Sequence, residues 1–180
     1  MSADRHVALL RGINVGKAKR IAMADLRALF ERLGHRDVRT LLNSGNVVFT
    51  PAGRPAADAG RIRAAILDEL GVDAPVTVLS GRVLAAAVAA NPLKQGAEDP
   101  AHLLLAVVRD AKAMSRIRPL ARERWAPEAI AVGKGVVYLW CAKGLAGPGL
   151  WAAVNRAGGE DVTARNLSTL GKLLALVEAD

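Results

Sequence analysis

The sequence predicts an α+β fold arranged as two similar halves. Three observations carry this. Apolar runs of strand length alternate with amphipathic stretches of helical period in the order βαββαβ, followed by one more helix. That order is met twice along 180 residues. Matching elements keep a nearly constant offset: the first strands start at Val7 and Leu103, 96 residues apart, the returning hairpin strands at Val47 and Val136, 89 apart, and the last strands at Val76 and Val162, 86 apart. Sequence identity between the halves is low. The order is that of a ferredoxin-like unit, so the expected architecture is two interleaved ferredoxin-like halves, each with a trailing helix. The division falls at 1–92 and 93–180, within one compact intertwined unit.

In the first half, His6 to Leu10 reads as a short buried strand. Arg11 to Arg20 is a basic loop with four cations and no carboxylate. Met23, Leu26, Leu29, Phe30 and Leu33 keep helical spacing, and Gly34 stops that helix. Val38 to Leu42 is a strand, Asn43-Ser44-Gly45-Asn46 has hairpin-turn composition, and Val47 to Thr50 returns, ended by Pro51. A polar link containing Pro and Gly leads to a helix from Ala59 to Leu70, stopped by Gly71. Pro75 to Leu79 is a strand, and Arg82 to Ala90 a helix ended by Asn91-Pro92.

The second half follows suit. His102 to Val108 is a strand. Lys112 to Trp125 is helical, with Pro119 expected to interrupt or kink it. Ala129 to Val132 and Val136 to Cys141 are strands joined by Gly133-Lys134-Gly135. Leu150 to Ala157 is a helix followed by Gly158-Gly159. Asp161 to Arg165 is a strand, and Ser168 to Val177 the last helix.

Composition bounds the class. Hydrophobic residues make up 52%, enough for a core, so disorder is not expected. Aromatics are 3%, so Ala, Val, Leu and Ile must build that core. The formal charge of +8 favours anionic partners, and residues 1–50 alone carry nine Lys/Arg against four Asp/Glu. Many of the arginines sit on Ala-rich helices, where solvating the helix surface explains them equally well. The single cysteine, Cys141, lies in an apolar run. It cannot form an intrachain disulfide or a Cys-rich zinc site, and a cytosolic protein with a buried thiol is expected. No stretch reaches the ~18 apolar residues of a membrane span, and no hydrophobic signal core follows Met1 to His6. His6, His35 and His102 lack metal spacing, so no metal is expected.

Two polar clusters stand out, each with a structural alternative. Arg11-Gly12-Ile13-Asn14-Val15-Gly16-Lys17 could cradle a phosphate on main-chain N–H groups, with Arg11 or Lys17 neutralising charge. It has neither nucleotide-loop spacing, so no cofactor is implied. Equally, Gly12 and Gly16 could meet backbone geometry and Asn14 tie down a turn. In Asn43-Ser44-Gly45-Asn46, the Ser44 hydroxyl and the Asn43 and Asn46 amides could bind a ligand, or the four residues could simply turn the chain. Ser44 has no nearby His and no nucleophile-elbow pattern. At the strand-to-helix junction Thr163-Ala164-Arg165-Asn166-Leu167-Ser168, Asn166 or Ser168 is a natural N-cap, and Arg165 could complete an anion site there. The first strand carries no aromatic, which argues against base stacking of the kind RNA-binding sheets use.

Val7 to Gly16, Met23-Ala24-Asp25-Leu26, Val38-Arg39-Thr40, Asn43 to Phe49, Asn91-Pro92-Leu93 and Thr163 to Leu170 with Lys172-Leu173-Leu174 together resemble the domain-of-unknown-function family 1697. The resemblance implies a bacterial, cytosolic α+β protein of two interleaved ferredoxin-like halves, and assigns it no activity. Three positions depart from the family's usual residues: Lys17 stands for Gly, Asn43 for Gln, and Leu167 for an aromatic. The expectation is a non-catalytic module binding an anionic ligand, either nucleic acid or a phosphorylated small molecule. Arg11, Gly12, Asn14, Gly16, Lys17, Ser44, Asn46, Arg165 and Asn166 are its candidate residues. An enzyme acting on a phosphorylated or acidic small molecule, and an interaction domain whose motifs are purely structural, are the alternatives.

Overall fold

The computed structural model describes residues 5–53, 58–94 and 99–179. Residues 1–4, part of the expected 51–58 link (54–57), residues 95–98 and residue 180 lie outside them. The first half runs β1 (His6–Leu10), α1 (Met23–Arg32), β2 (Arg36–Leu41), β3 (Asn46–Thr50), α2 (Asp58–Leu70), β4 (Val76–Ser80) and α3 (Gly81–Ala89). Its sheet has the order β2-β3-β1-β4 with every pairing antiparallel. The second half runs β5 (Leu103–Val108), α4 (Ala111–Ile117), β6 (Ala129–Val132), β7 (Val136–Trp140), α5 (Leu150–Gly158), β8 (Val162–Asn166) and α6 (Leu167–Glu178). Its order is β6-β7-β5-β8, again antiparallel throughout. Both are the ferredoxin-like strand order, so the expected fold class holds. The chain forms two compact units, Met1–Ala85 with Lys172–Asp180, and Ala86–Gly171, whose boundaries fall within α3 and α6.

Alternation on the strands and 3.6-residue spacing on the helices build each core. In the first unit Ala8 and Leu10 of β1, Val47 and Phe49 of β3 and Val76 of β4 share a cluster with Leu26, Leu29 and Phe30 of α1 and Ile62 and Ile66 of α2. Phe30 meets Phe49 edge-on at 5.2 Å between centroids. Each large apolar side chain buried this way contributes roughly 1.5–3 kcal/mol. The Arg5 guanidinium donates to the carbonyls of Leu176, Val177 and Ala179, tying β1's start to the end of α6. In the second unit Leu104, Ala106 and Val108 pack with Ala113, Met114 and Ile117 of α4 and Leu150 and Val154 of α5. There the Tyr138 hydroxyl donates to the Ala87 carbonyl at 2.8 Å.

Two expectations shift. The helix expected over Lys112–Trp125 stops at Ile117 and gives way to a 3-10 turn, Arg118–Arg122, with Pro119 in its opening turn. Proline has no N–H to continue the α ladder, and its fixed φ suits a helix start. β2 begins at Arg36, two residues before the expected Val38, with irregular pairing between Arg36 and Arg39 and Asp37 at φ 51°. Arg36 and Asp37 are exposed on an edge strand, so no apolar alternation marks them. Every other boundary falls within one residue of expectation. Among the described residues no helix is long and apolar enough to cross a membrane.

Candidate functional site

The first loop and the hairpin turn lie against each other at one end of the first sheet. The Leu10 N–H donates to the Gly45 carbonyl at 2.8 Å, and the Arg11 N–H to the Pro75 carbonyl at 3.0 Å, so the loop is anchored on both sides of β1. Gly45 is required twice over. Its φ is +84°, and a Cβ there would sit 2.7 Å from Leu10 Cβ and 2.8 Å from Ile13 Cδ1.

Asn14 closes the loop. Held at φ 55°, its Nδ2 donates to the carbonyls of Ile21 (2.9 Å) and Asn43 (2.8 Å), while Oδ1 accepts from the Ile21 N–H (2.9 Å). An amide group has two N–H donors, and both are used. Asn46 is fully buried and uses its Nδ2 in the same way, on the Leu41 carbonyl (2.8 Å) and Ser44 Oγ (2.9 Å). Both amides therefore hold the two segments in shape, and neither presents a spare N–H to a ligand.

What the clasp shapes is an open cleft of about 250 Å³ lined by Asn14, Arg20, Ile21, Ala22 and Asn43. Ala22 is the N-cap of α1 and has no side chain able to cap it, so the first-turn N–H groups lack a side-chain cap from that position. Asp25 is the one acidic residue of that turn. Of the loop cations, Lys19 Nζ donates to the Asp73 carbonyl at 2.9 Å. Asp73 is itself gripped by Arg63 at 2.7 and 3.1 Å, and that hydrogen bond holds its carboxyl below the usual range. Arg11 is half-buried, whereas Lys17 and Arg20 are exposed. Gly12 (φ +70°) and Gly16 (φ +64°) have open space where a side chain would project.

Arg165 and Asn166 lie on β8 in the other unit. Arg165 pairs opposite Leu105 and donates to the Ala164 carbonyl at 2.9 Å. Protein atoms strip water from its guanidinium, which lowers its pKa to about 10 and still leaves it charged at neutral pH. Asn166 Oδ1 accepts from the Thr169 N–H at 2.8 Å, so Asn166 is the N-cap of α6.

The sequence candidates do not include Arg20, Ile21 or Ala22, and Asn43 enters there as a member of the hairpin-turn cluster, through its side-chain amide. Arg20 carries a readable signal, a cation three residues before a helix start with no capping side chain. The part played by Asn43 is carried by its backbone carbonyl, which residue type does not reveal. A second glycine-rich junction, Lys143 to Gly149 before α5, also went unremarked. Its helix start is already occupied: buried Glu128 accepts from the Leu150 N–H at 2.9 Å through Oε2. An internal carboxylate thus stands where an external anion would bind. Burial, reinforced by that carboxylate, pushes the nearby Cys141 thiol up to about 12, so it carries no thiolate at neutral pH. No cluster among the described residues could hold a metal ion.

The chain is similar over 97% of its length, and over 99% of the other chain, to the structure of conserved bacterial protein SP0830 from Streptococcus pneumoniae, with a TM-score of 0.75 at 19% identity. That likeness bears on the fold alone. Comparison with curated proteins found no match. The family model described as protein of unknown function (DUF1697) matches residues 3–138, which take in β1 through the start of β7 and stop short of the Thr163–Leu170 motif. The chain belongs to that family.

Proposed function

We propose that this protein is a non-catalytic module that binds a phosphate-bearing anion in the cleft beside Arg20. One observation carries the reading. Arg20 is exposed and uncommitted on the wall of a concave site whose floor is fixed by the Asn14 clasp. A preorganised wall lowers the ordering cost of binding, and an uncommitted guanidinium offers paired N–H donors to phosphate oxygens. Lys17, on the same loop, adds charge. The lining residues include no carboxylate, imidazole or thiol that could serve as general acid, base or nucleophile, which favours binding over turnover.

Inorganic pyrophosphate is a suitable probe. Titrated into the 15N-labelled protein at low salt, it should shift the amide resonances of residues 16–25 and leave those of 143–152 in place. Shifts spread evenly over basic surface residues of both units, or no shifts at all, would overturn the reading.

A further inference from the structure

Two large apolar side chains stand in solvent on the segments that frame this cleft, each next in sequence to a residue that lines it. Among the described residues the large hydrophobics that are well exposed are Val15 (73%), Leu42 (49%), Leu67, Val83 and Leu145. Val15 adjoins Asn14 and Leu42 adjoins Asn43, the two partners of the 2.8 Å hydrogen bond at the cleft. One apolar residue therefore comes from each of the two segments that frame the site. Leu42 is also held at φ 57°, a left-handed conformation that costs a side-chain-bearing residue about 1–2 kcal/mol and that Gly or Asn would adopt more readily. Its side chain is kept where it costs backbone strain and hydrophobic exposure and adds little to the core.

We infer that the cleft's ligand is a nucleoside phosphate, with its phosphate at Arg20 and Lys17 and its base against Val15 and Leu42. This rests on the anion-binding reading above and names the class of anion. A bare phosphate would leave both apolar side chains in water. An acyl chain needs a deep apolar channel, and the interior below is filled by Leu10 (0% exposed), Ile13 (2%) and Ile21 (5%). A planar base instead presents a flat apolar face to surface side chains while its edges stay hydrated. Apolar area removed from water between such a face and aliphatic side chains favours a base without reading its identity. The same chemistry is offered by a free nucleotide and by the terminal nucleotide of a single strand.

The test is calorimetric titration of the full chain with pyrophosphate, ribose 5-phosphate, the four nucleoside 5′-monophosphates and a short single-stranded oligonucleotide. At least one nucleotide should bind about tenfold tighter than ribose 5-phosphate, a difference of about 1.4 kcal/mol. The variants Val15→Ser and Leu42→Asn should erase that preference and leave ribose 5-phosphate binding within about twofold. Asn tolerates the left-handed conformation at position 42, so that variant keeps the turn. Equal affinity for ribose 5-phosphate and every nucleotide overturns the inference while the anion reading stands. Absence of binding by every probe, pyrophosphate included, overturns both. If the oligonucleotide binds tighter than any monomer, with affinity falling steeply in salt, the source is a strand. If the monomers match it, the source is a free nucleotide.

Discussion

At the scale of single residues, Asn14 and His35 show how buried polar groups constrain this chain. Asn14→Ala removes the partners of the Ile21 N–H and of two carbonyls at once. Urea denaturation should show a loss of about 1–3 kcal/mol. His35 is buried beside Phe49 at 4.6 Å, and its Nδ1 accepts the Ala52 N–H at 3.2 Å, so the folded state holds the neutral ring. Burial lowers its pKa below 6.5, Asp58 partly opposes this, and Arg61 adds to it. The unfolded chain therefore takes up the proton first. His35 contributes fully above 6.5, and stability falls as the pH drops below that value toward the folded one. His35→Asn keeps an acceptor near Nδ1 without a titrating ring. Its stability should lose less than the parent's between neutral pH and pH ~5 by denaturant unfolding. An equal loss in both would remove His35 from the account. From sequence, Asn14 was legible as a residue of consequence, but its role was open between ligand contact and turn tie. Its acceptors are backbone carbonyls, brought to it by folding.

At the scale of elements, legibility followed periodicity. β5 is a continuous apolar run, β1 and β3 carry apolar runs at Val7–Leu10 and Val47–Phe49, all three are buried along their whole length, and α1 repeats its apolar residues at helical spacing, so each is placed within a residue. The edge strand β2 opens on exposed polar residues and carried no such signal. The start of α5 shows a different limit. Its cap, Glu128, comes from 22 positions upstream, so no local capping motif announces it. Replacing Glu128 with Ala should cost about 0.5–2 kcal/mol in chemical denaturation. Glu128→Gln should cost less, because its amide oxygen still accepts the Leu150 N–H. Equal losses would place the stabilisation in the carboxylate's charge instead of in its hydrogen bond or packing, both of which Gln retains.

At the scale of the whole molecule, the strand order of each sheet was implied by element order alone, because a βαββαβ chain with short connections has few topologies open to it. The candidate site was only partly legible for a related reason. The hydrogen bond from Asn14 to the Asn43 carbonyl joins the first loop to the hairpin turn, and neither segment names the other in sequence. Net charge is a whole-molecule property too, and it supplies the rival to a local site: a chain of +8 attracts anions everywhere. The direct discriminator is the pyrophosphate affinity of two single-charge variants, Arg20→Ala in the cleft and Lys134→Ala in the exposed β6–β7 turn. A defined site predicts that Arg20→Ala weakens binding about tenfold or more while Lys134→Ala stays within about twofold of the parent. Equal weakening by both would show that the anion is held by diffuse charge and would contradict the cleft as the binding site.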